Sequence, residues 1–355
     1  MRYLPLKMIV LSVIVTVSFC SVTYAEPVQE LTFLNWGQDL SPDLQKKFEE
    51  KFNAKIHTVT FPSDDSRDSL LLSTDGQNFD VALVDGNSLP GYIRRGWLTQ
   101  ISEDDIPNIR HIIPRWGNAY KGSKEYSVPY FWGTVGIAYR SDLVQSPISS
   151  WLDIIKPPES LHGKIFMLPQ NRELIDIGLK ALDYSINNAN DLNAYKEVEK
   201  LLLAQKPYVT KYDVLSVTEK SALVSGKILA AVTYSGDALT LQEINEDITY
   251  VVPVEGSILW VDYLVVMAKS EKKKLSMDFI NFLNEPENAA EHAEYMYYAT
   301  PNAAAEKLLP QEFLNDPTIY PGKTVLEKCE IDTKLPARIN KIRNSIFLNV
   351  TRNKI

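Results

Sequence analysis

The sequence predicts an α/β fold in which mostly parallel sheets are flanked by helices and the chain is divided between two lobes. Three observations lead there. Strand-like and helix-like segments alternate as β-α-β-α-β over residues 31–84. About 330 residues remain after an N-terminal export signal, enough to bury a large core in two lobes. Only Cys329 would remain among them, so burial of apolar side chains, and no internal disulfide, must hold the fold.

The export signal consists of Arg2 and Lys7, an apolar run over 8–19, and Thr23-Tyr24-Ala25 with small residues at its outer positions. That run is too short to span a bilayer, and cleavage after Ala25 leaves a soluble exported protein. Cys20 raises the alternative of lipoprotein processing, which the bulky Phe19 before it disfavours. The chain has 37 basic and 45 acidic residues, and the signal holds two basic and no acidic ones, so the mature protein carries 35 minus 45, or -10. This balance disfavours nucleic acid as a partner. It suits attraction of small cations, or serves solubility alone. No second apolar run is long enough for a membrane span, so membrane contact would have to come through a partner.

A strand over 31–35 leads through Trp36-Gly37-Gln38-Asp39 to a helix over 41–52, where Ser41-Pro42 supplies a cap and a first-turn proline. A strand over 55–61, a helix over 66–74 and a strand over 79–84 complete the series. Ligands of such sheets bind beyond the carboxyl ends of the strands, where Trp36, Asp39, Asp85 and Asn87 fall. Two short strands, 125–131 and 134–139, are expected around Trp132-Gly133 as a breaker, at a crossing between lobes. Next come a helix over 151–156 stopped by Pro157-Pro158, a strand over 164–168, and helices over 172–184, 191–204 and 214–225. Glu173 lies in the first turn of the helix over 172–184, where an acid also complements the helix dipole. A strand over 228–234 ends at Ser235-Gly236-Asp237. Helices over 272–283, 286–297 and 336–350 close the chain, which shows no internal repeat.

The chain is organised around residues 256–267, GSILWVDYLVVM, read as a strand. Successive side chains on a strand alternate faces, so Trp260 and Asp262 project from one face, roughly 6–7 Å apart. An indole face beside a carboxylate suits an organic cation. The other reading makes Trp260 a core residue and places Asp262 at a strand end or loop.

Several chemistries lack their residues. There is no G-x-S-x-G elbow, and Gly86 to Gly91 lacks the Lys-Ser/Thr of a phosphate loop. His57, His111, His162 and His292 show no metal-ligand spacing and are expected at the surface or as caps. Cys329 sits between acids in Glu327-Lys328-Cys329-Glu330, which opposes thiolate formation. Tyr295, Tyr297 and Tyr298 could supply phenolate ligands to a ferric ion, but at the end of an amphipathic helix they suit packing better. No cofactor, metal or catalytic group is expected.

Across most of the mature chain the sequence resembles the periplasmic spermidine/putrescine-binding proteins that feed ABC importers. The resemblance is carried by Leu34-Asn35-Trp36, Phe79-Asp80-Val81, Val128-Pro129-Tyr130-Phe131-Trp132-Gly133, Ser150-Trp151-Leu152-Asp153, Arg172-Glu173 and Trp260-Val261-Asp262. It continues in Phe279-Ile280-Asn281-Phe282-Leu283, in Ala299-Thr300-Pro301-Asn302, in Ala304 and in Lys307-Leu308-Leu309. It implies a two-lobed, Venus-flytrap α/β fold with the ligand clasped between lobes. The expected organisation is a signal over 1–25, one lobe from 26–137 and 261–305, and the other from 138–260 and 306–355. The implied partners of this monomeric periplasmic protein are a polyamine, or another small organic cation, and a membrane permease.

By the same resemblance, Trp36 lies against the ligand's methylenes, Glu173 binds an amine, Trp260 forms an aromatic wall and Asp262 holds an ammonium. Tyr234 stands where the family has a tryptophan. Gln170 and Gln38 replace acids, and Asp39 replaces a tyrosine. Asp85 and Asn87 replace serine and tyrosine, and Asp237 takes a small polar position. Charge is redistributed and a cation remains the expected ligand, with Asp39, Asp85 and Asp237 as further candidate partners.

Overall fold

The computed structural model describes residues 27–37 and 40–352. The readings of residues 1–25, Gln38 and Asp39 fall outside them. In chain order the first elements are β1 (Gln29–Asn35), α1 (Pro42–Phe52), β2 (Ala54–Thr60), α2 (Asp64–Thr74), β3 (Val81–Asp85), α3 (Leu89–Arg95) and α4 (Pro114–Gly117). Next come β4 (Val128–Arg140), α5 (Leu152–Ile155), β5 (Ile165–Met167), α6 (Asn171–Ala181), α7 (Leu192–Gln205), β6 (Val209–Tyr212), β7 (Ala230–Tyr234), α8 (Ser235–Ile244), β8 (Ile248–Val251) and β9 (Ile258–Val266). The chain closes with α9 (Lys273–Leu283), α10 (Pro286–Met296), α11 (Ala303–Glu306), α12 (Gln311–Asn315), α13 (Lys323–Leu326), β10 (Glu330–Ile331) and α14 (Ala337–Thr351).

β1 pairs in parallel with β2 and β3 at one end of the sheet, and β5 pairs in parallel with β6 and β7 at the other. Two long antiparallel strands join these halves. β4 pairs with β9 from Val128 to Thr134, and then with β7 and β8 from Val135 to Arg140. β9 in turn pairs with β3 from Tyr263 outward, with Asp262 opposite Asp85. Each half has its own apolar core. Phe33, Phe48 and Phe279 meet edge to face in one, and Trp151, Tyr195 and Tyr212 are fully buried in the other.

Local chemistry starts the helices that frame the cleft. Ser41 caps α1 by accepting from the Leu44 amide at 3.4 Å, with Pro42 at the first helical position. Ser63 accepts from the Ser66 amide at 3.2 Å, so α2 begins two residues before the predicted start. Asp80 accepts from the Thr32 amide and the Ser270 hydroxyl, locking β1 and the segment after β9 to the start of β3.

Four expectations are corrected. Residues 128–140 form one strand and not two: Gly133 lies inside it, with only a bulge between Pro129 and Phe131. Residues 214–225 form turns and no helix, because the Thr218 and Ser221 hydroxyls accept from nearby amides and compete with helical bonding. Ser235-Gly236-Asp237, read only as the end of the strand over 228–234, opens α8, a helix missing from the expected elements. His292 is buried, bonded to Tyr130 and to the Ser41 amide, and neither exposed nor a cap. Cys329 is buried as well, and burial above all raises its thiol pKa.

Candidate functional site

β9 and β4 build the centre of the cleft together. Gly133 of β4 sits opposite Trp260 of β9, and a Cβ there would lie 2.4 Å from the indole. The missing side chain lets the ring lie down on β4. Tyr298 meets Trp260 edge-on at 4.7 Å between centroids, and Gly236 in the first turn of α8 makes room for it, since a Cβ there would come within 2.4 Å of the tyrosine ring. Tyr234, at the end of β7, meets Trp260 at 6.4 Å and 85°. Three rings from separate segments therefore form one wall, with geometry typical of aromatic pairs. From sequence Tyr298 suits packing better than a ferric-ion site, and Tyr297 beside it bonds Glu243 instead. Trp36, half-buried, packs against Phe61 in the other lobe with centroids 4.4 Å apart and the rings tilted by 54°.

Buried polar atoms in this wall, at the start of α6 and just after β3 lack partners. The Trp260 Nε1 donor is buried and unpaired, as are the acceptors Glu173 Oε2, Gln170 Oε1, Asn171 Oδ1 and Asn87 Oδ1. The amide assignments follow from the network: Asn87 Nδ2 donates to Asp332, and Asn171 Nδ2 donates to Asn344. Burial raises the Glu173 carboxyl pKa, with Arg172 opposing. Asp262 is half-buried on the face it shares with Trp260, directly across from Asp85 on β3. Asp237, in the first turn of α8, is pushed up to about 6 by burial, against a bond from the Thr233 hydroxyl. Asn35, at the end of β1, is fully buried with both amide atoms unpaired.

The cleft changes character toward α2 and α3. Arg67 of α2, fully buried, contacts Asp64, Asp68 and Asp85 at 2.8, 3.1 and 2.6 Å, and donates to the Ser88 and Tyr92 hydroxyls. From the opposite lobe Arg172 reaches Asp332 at 2.8 Å, Asp64 at 3.5 Å and Asp85 at 3.6 Å. Burial would raise the Asp85 pKa, but the two arginines hold it well below the usual carboxylate range. Asp64 moves the other way, to about 6, through burial and the repulsion of Asp85. Asp64, Asp68, Asp85, Arg172 and Asp332 line a cavity of about 470 Å³ with Asp65, Asn171 and Arg343, and Arg67 lies behind its wall.

The structure brings Tyr234 and Trp260 into ring contact, with Asp262 two residues along the same strand and Glu173 near enough to Tyr234 to add to the burial that raises its pKa. None of the four lines the cavity of about 470 Å³, and Asp85 is tied to two arginines. Sequence reasoning missed Arg67, Asp332 and Tyr298. An arginine among the acids of Asp64-Asp65-Ser66-Arg67-Asp68 was a signal for the first, whereas Asp332 carried none.

A two-lobed α/β chain with its polar and aromatic cleft between the lobes has the periplasmic-binding-protein fold. Residues 43–321 match the bacterial extracellular solute-binding protein family, and the chain belongs to it. The chain is 28% identical to the spermidine/putrescine-binding periplasmic protein of Escherichia coli over 315 residues, 87% of this chain and 88% of that protein. It is 29% identical to the norspermidine sensor of Vibrio cholerae over 336 residues, 93% of this chain and 91% of that one. The spermidine/putrescine ABC transporter substrate-binding protein of Streptococcus pneumoniae, crystallised with calcium and HEPES, matches with a TM-score of 0.81 at 28% identity, covering 91% of this chain and 98% of that chain.

Proposed function

We propose that this protein captures a polyamine of the spermidine or putrescine type between its lobes and delivers it to an ABC permease. One observation carries the reading. Four buried acceptors stand without partners: Gln170 Oε1, Asn171 Oδ1 and Glu173 Oε2 at the start of α6, and Asn87 Oδ1, whose residue lines one cavity with Asn171. An unpaired buried polar atom costs roughly 1–3 kcal/mol, so several gathered in one place suit a ligand rich in donors. A polyamine brings N–H groups on a methylene chain, and the Trp260, Tyr234 and Tyr298 rings supply the flat apolar surface and cation-attracting faces for it. Glu173 and Asp262 are the acids proposed to hold ammonium groups, with Trp36 against the methylenes. Asp39 and Asp237 are secondary candidates, and Asp85 acts through its arginines.

On this reading the chain is a binding protein and not an enzyme. It works as a periplasmic monomer released by cleavage after Ala25, and its lobes comprise 26–137 with 261–305 and 138–260 with 306–355. Calorimetry of the purified protein with putrescine, spermidine, norspermidine and spermine tests the reading. Saturable one-to-one binding of at least one amine is expected, and no heat with any of them would end it. The likeness to a norspermidine sensor supports a second outcome for the same binding step, signalling through a membrane partner. Uptake of labelled amine, lost on deletion of the gene, separates delivery from signalling.

A further inference from the structure

We propose that Arg172 is a clasp between the lobes: its guanidinium engages a pair of carboxylates that the opposite lobe has already assembled, and so favours the closed form whichever ligand is bound. The inference rests on the two-lobed cleft described above, but not on the ligand's identity.

Arg67 is the fixed half of the device. Its Nη1 meets Asp64 Oδ1 at 2.8 Å, and its Nη2 meets Asp85 Oδ2 at 2.6 Å. Each carboxylate has its other oxygen turned to the second lobe, where Asp64 Oδ2 lies 3.5 Å from Arg172 Nη2 and Asp85 Oδ1 lies 3.6 Å from Arg172 Nη1. Two carboxylates are thus held between two guanidiniums, one from each lobe. A planar guanidinium suits this forked arrangement better than an ammonium would.

Asp332 aims the moving half. It follows β10, which pairs with the start of β9 and is tied to α6 through Lys180 and Glu330, so it travels with Arg172. It accepts from Arg172 at 2.8 Å and from two groups of the other lobe, Asn87 and the Tyr120 hydroxyl, the latter at 3.2 Å. Tyr120 reaches it only because Gly86 has no side chain: a Cβ there would stand 1.8 Å from the tyrosine ring. Arg172 also occupies the first turn of α6, where the helix dipole opposes a cation. Its position therefore does nothing for the helix itself, and the carboxylates across the cleft account for it.

A contact made only on closure raises the closed fraction of the ligand-free protein. Apparent affinity scales with that fraction, so losing the clasp weakens every ligand by one common factor. A residue touching the ligand would weaken different amines unequally.

Small-angle scattering of the ligand-free protein, with calorimetry using putrescine and spermidine, tests this on wild type, Arg172→Gln and Tyr120→Phe. Arg172→Gln is expected to raise the radius of gyration without ligand and to weaken both amines equally, on the order of tenfold. Tyr120→Phe, which removes one hydroxyl, is expected to act in the same direction but less, and it carries the test if Arg172→Gln does not fold. An unchanged radius overturns the clasp, as do unequal losses for the two amines. Tighter binding in Arg172→Gln also overturns it, by showing that the guanidinium occupies the ligand's place. If wild type binds neither amine, the polyamine reading falls while the scattering comparison still decides the clasp.

Discussion

At the α2 end of the cleft, Arg67 is completely buried and has five partners, Asp64, Asp68, Asp85, Ser88 and Tyr92. Beside the aromatic wall, Glu173 Oε2 is buried with none, as are Gln170 Oε1 and Trp260 Nε1. Both regions bury polar atoms, yet Arg67 has met its hydrogen-bonding needs and the atoms beside the wall have not. The difference assigns them separate tasks. Groups already paired hold or close the structure, and groups left unpaired beside flat rings are what a ligand rich in donors can satisfy. Substitutions at the paired end should therefore cost stability, and those at the unpaired end should cost affinity.

The largest effect is expected at Arg67. Arg67→Met would leave Asp64, Asp68 and Asp85 facing one another without their shared cation, and breaking a buried ion pair on one side costs about 3–5 kcal/mol. Urea denaturation should show the loss as a lower midpoint at unchanged slope. A loss below about 1 kcal/mol would mean that the paired end is not structural.

His292 extends the comparison to a paired group outside the cleft. Its Nε2 accepts from the Ser41 amide at 3.3 Å, which places the proton on Nδ1 for donation to the Tyr130 hydroxyl at 3.1 Å and requires the neutral ring. Burial lowers its pKa to about 3 in the folded protein, against 6.5 as the reference. The unfolded state therefore binds more protons in that window. Stability from this group is complete above pH 6.5 and is lost as pH falls toward 3, by up to about 5 kcal/mol. Asp176, raised to about 7 by burial against its ion pair with Arg343, has the opposite sign: its contribution to stability falls as pH rises from about 4 to 7. Melts at several pH values should show a shallower acid loss in His292→Gln than in wild type. Parallel curves for the two would refute the assignment.

A smaller effect is expected at Gly133. In Gly133→Ala the new methyl would displace the Trp260 ring, costing roughly 1–3 kcal/mol as overpacking, and amine affinity should fall with it. Full affinity in that variant would take Trp260 out of the site. Asp104→Asn is the control: the residue is exposed, and both stability and affinity should stay at wild-type values.

Much of the first lobe was legible because its elements announce themselves locally. Ser41-Pro42 starts α1, and the β-α-β-α-β order fixes a parallel β1, β2 and β3. Trp260, Asp262, Glu173 and Tyr234 were legible as candidates because strand alternation, a helix first turn and a family resemblance all point to them. What failed depended on distant partners. Gly133 reads as a breaker until Trp260 is seen lying on it. The strands β6 and β8 are four residues each and take their place from β5 and β4. Arg67, Asp332 and Tyr298 gain meaning only from residues many positions away, as when Asp332 meets Arg172 and Tyr120. The motif residues also divided in an unexpected way. Trp132 stacks on Trp116 and Asn302 caps α11, so both are structural, while Trp260 of the W-x-D strand meets the Tyr234 and Tyr298 rings.

The central claim is that the unpaired carboxylate beside the aromatic wall is there for an ammonium group, and Glu173→Gln tests it most directly. Calorimetry with putrescine and spermidine, run beside a thermal melt of the same samples, reads both sides of the comparison. Removing one partner of a buried charge pair costs about 2–5 kcal/mol, or roughly 30- to several-thousand-fold in affinity. The account predicts at least tenfold weaker binding with a melting temperature equal to or above that of wild type, because the substitution removes a buried charge whose Oε2 lacks a partner in the ligand-free protein. Wild-type affinity in Glu173→Gln, or a lowered melting temperature with affinity intact, would contradict it.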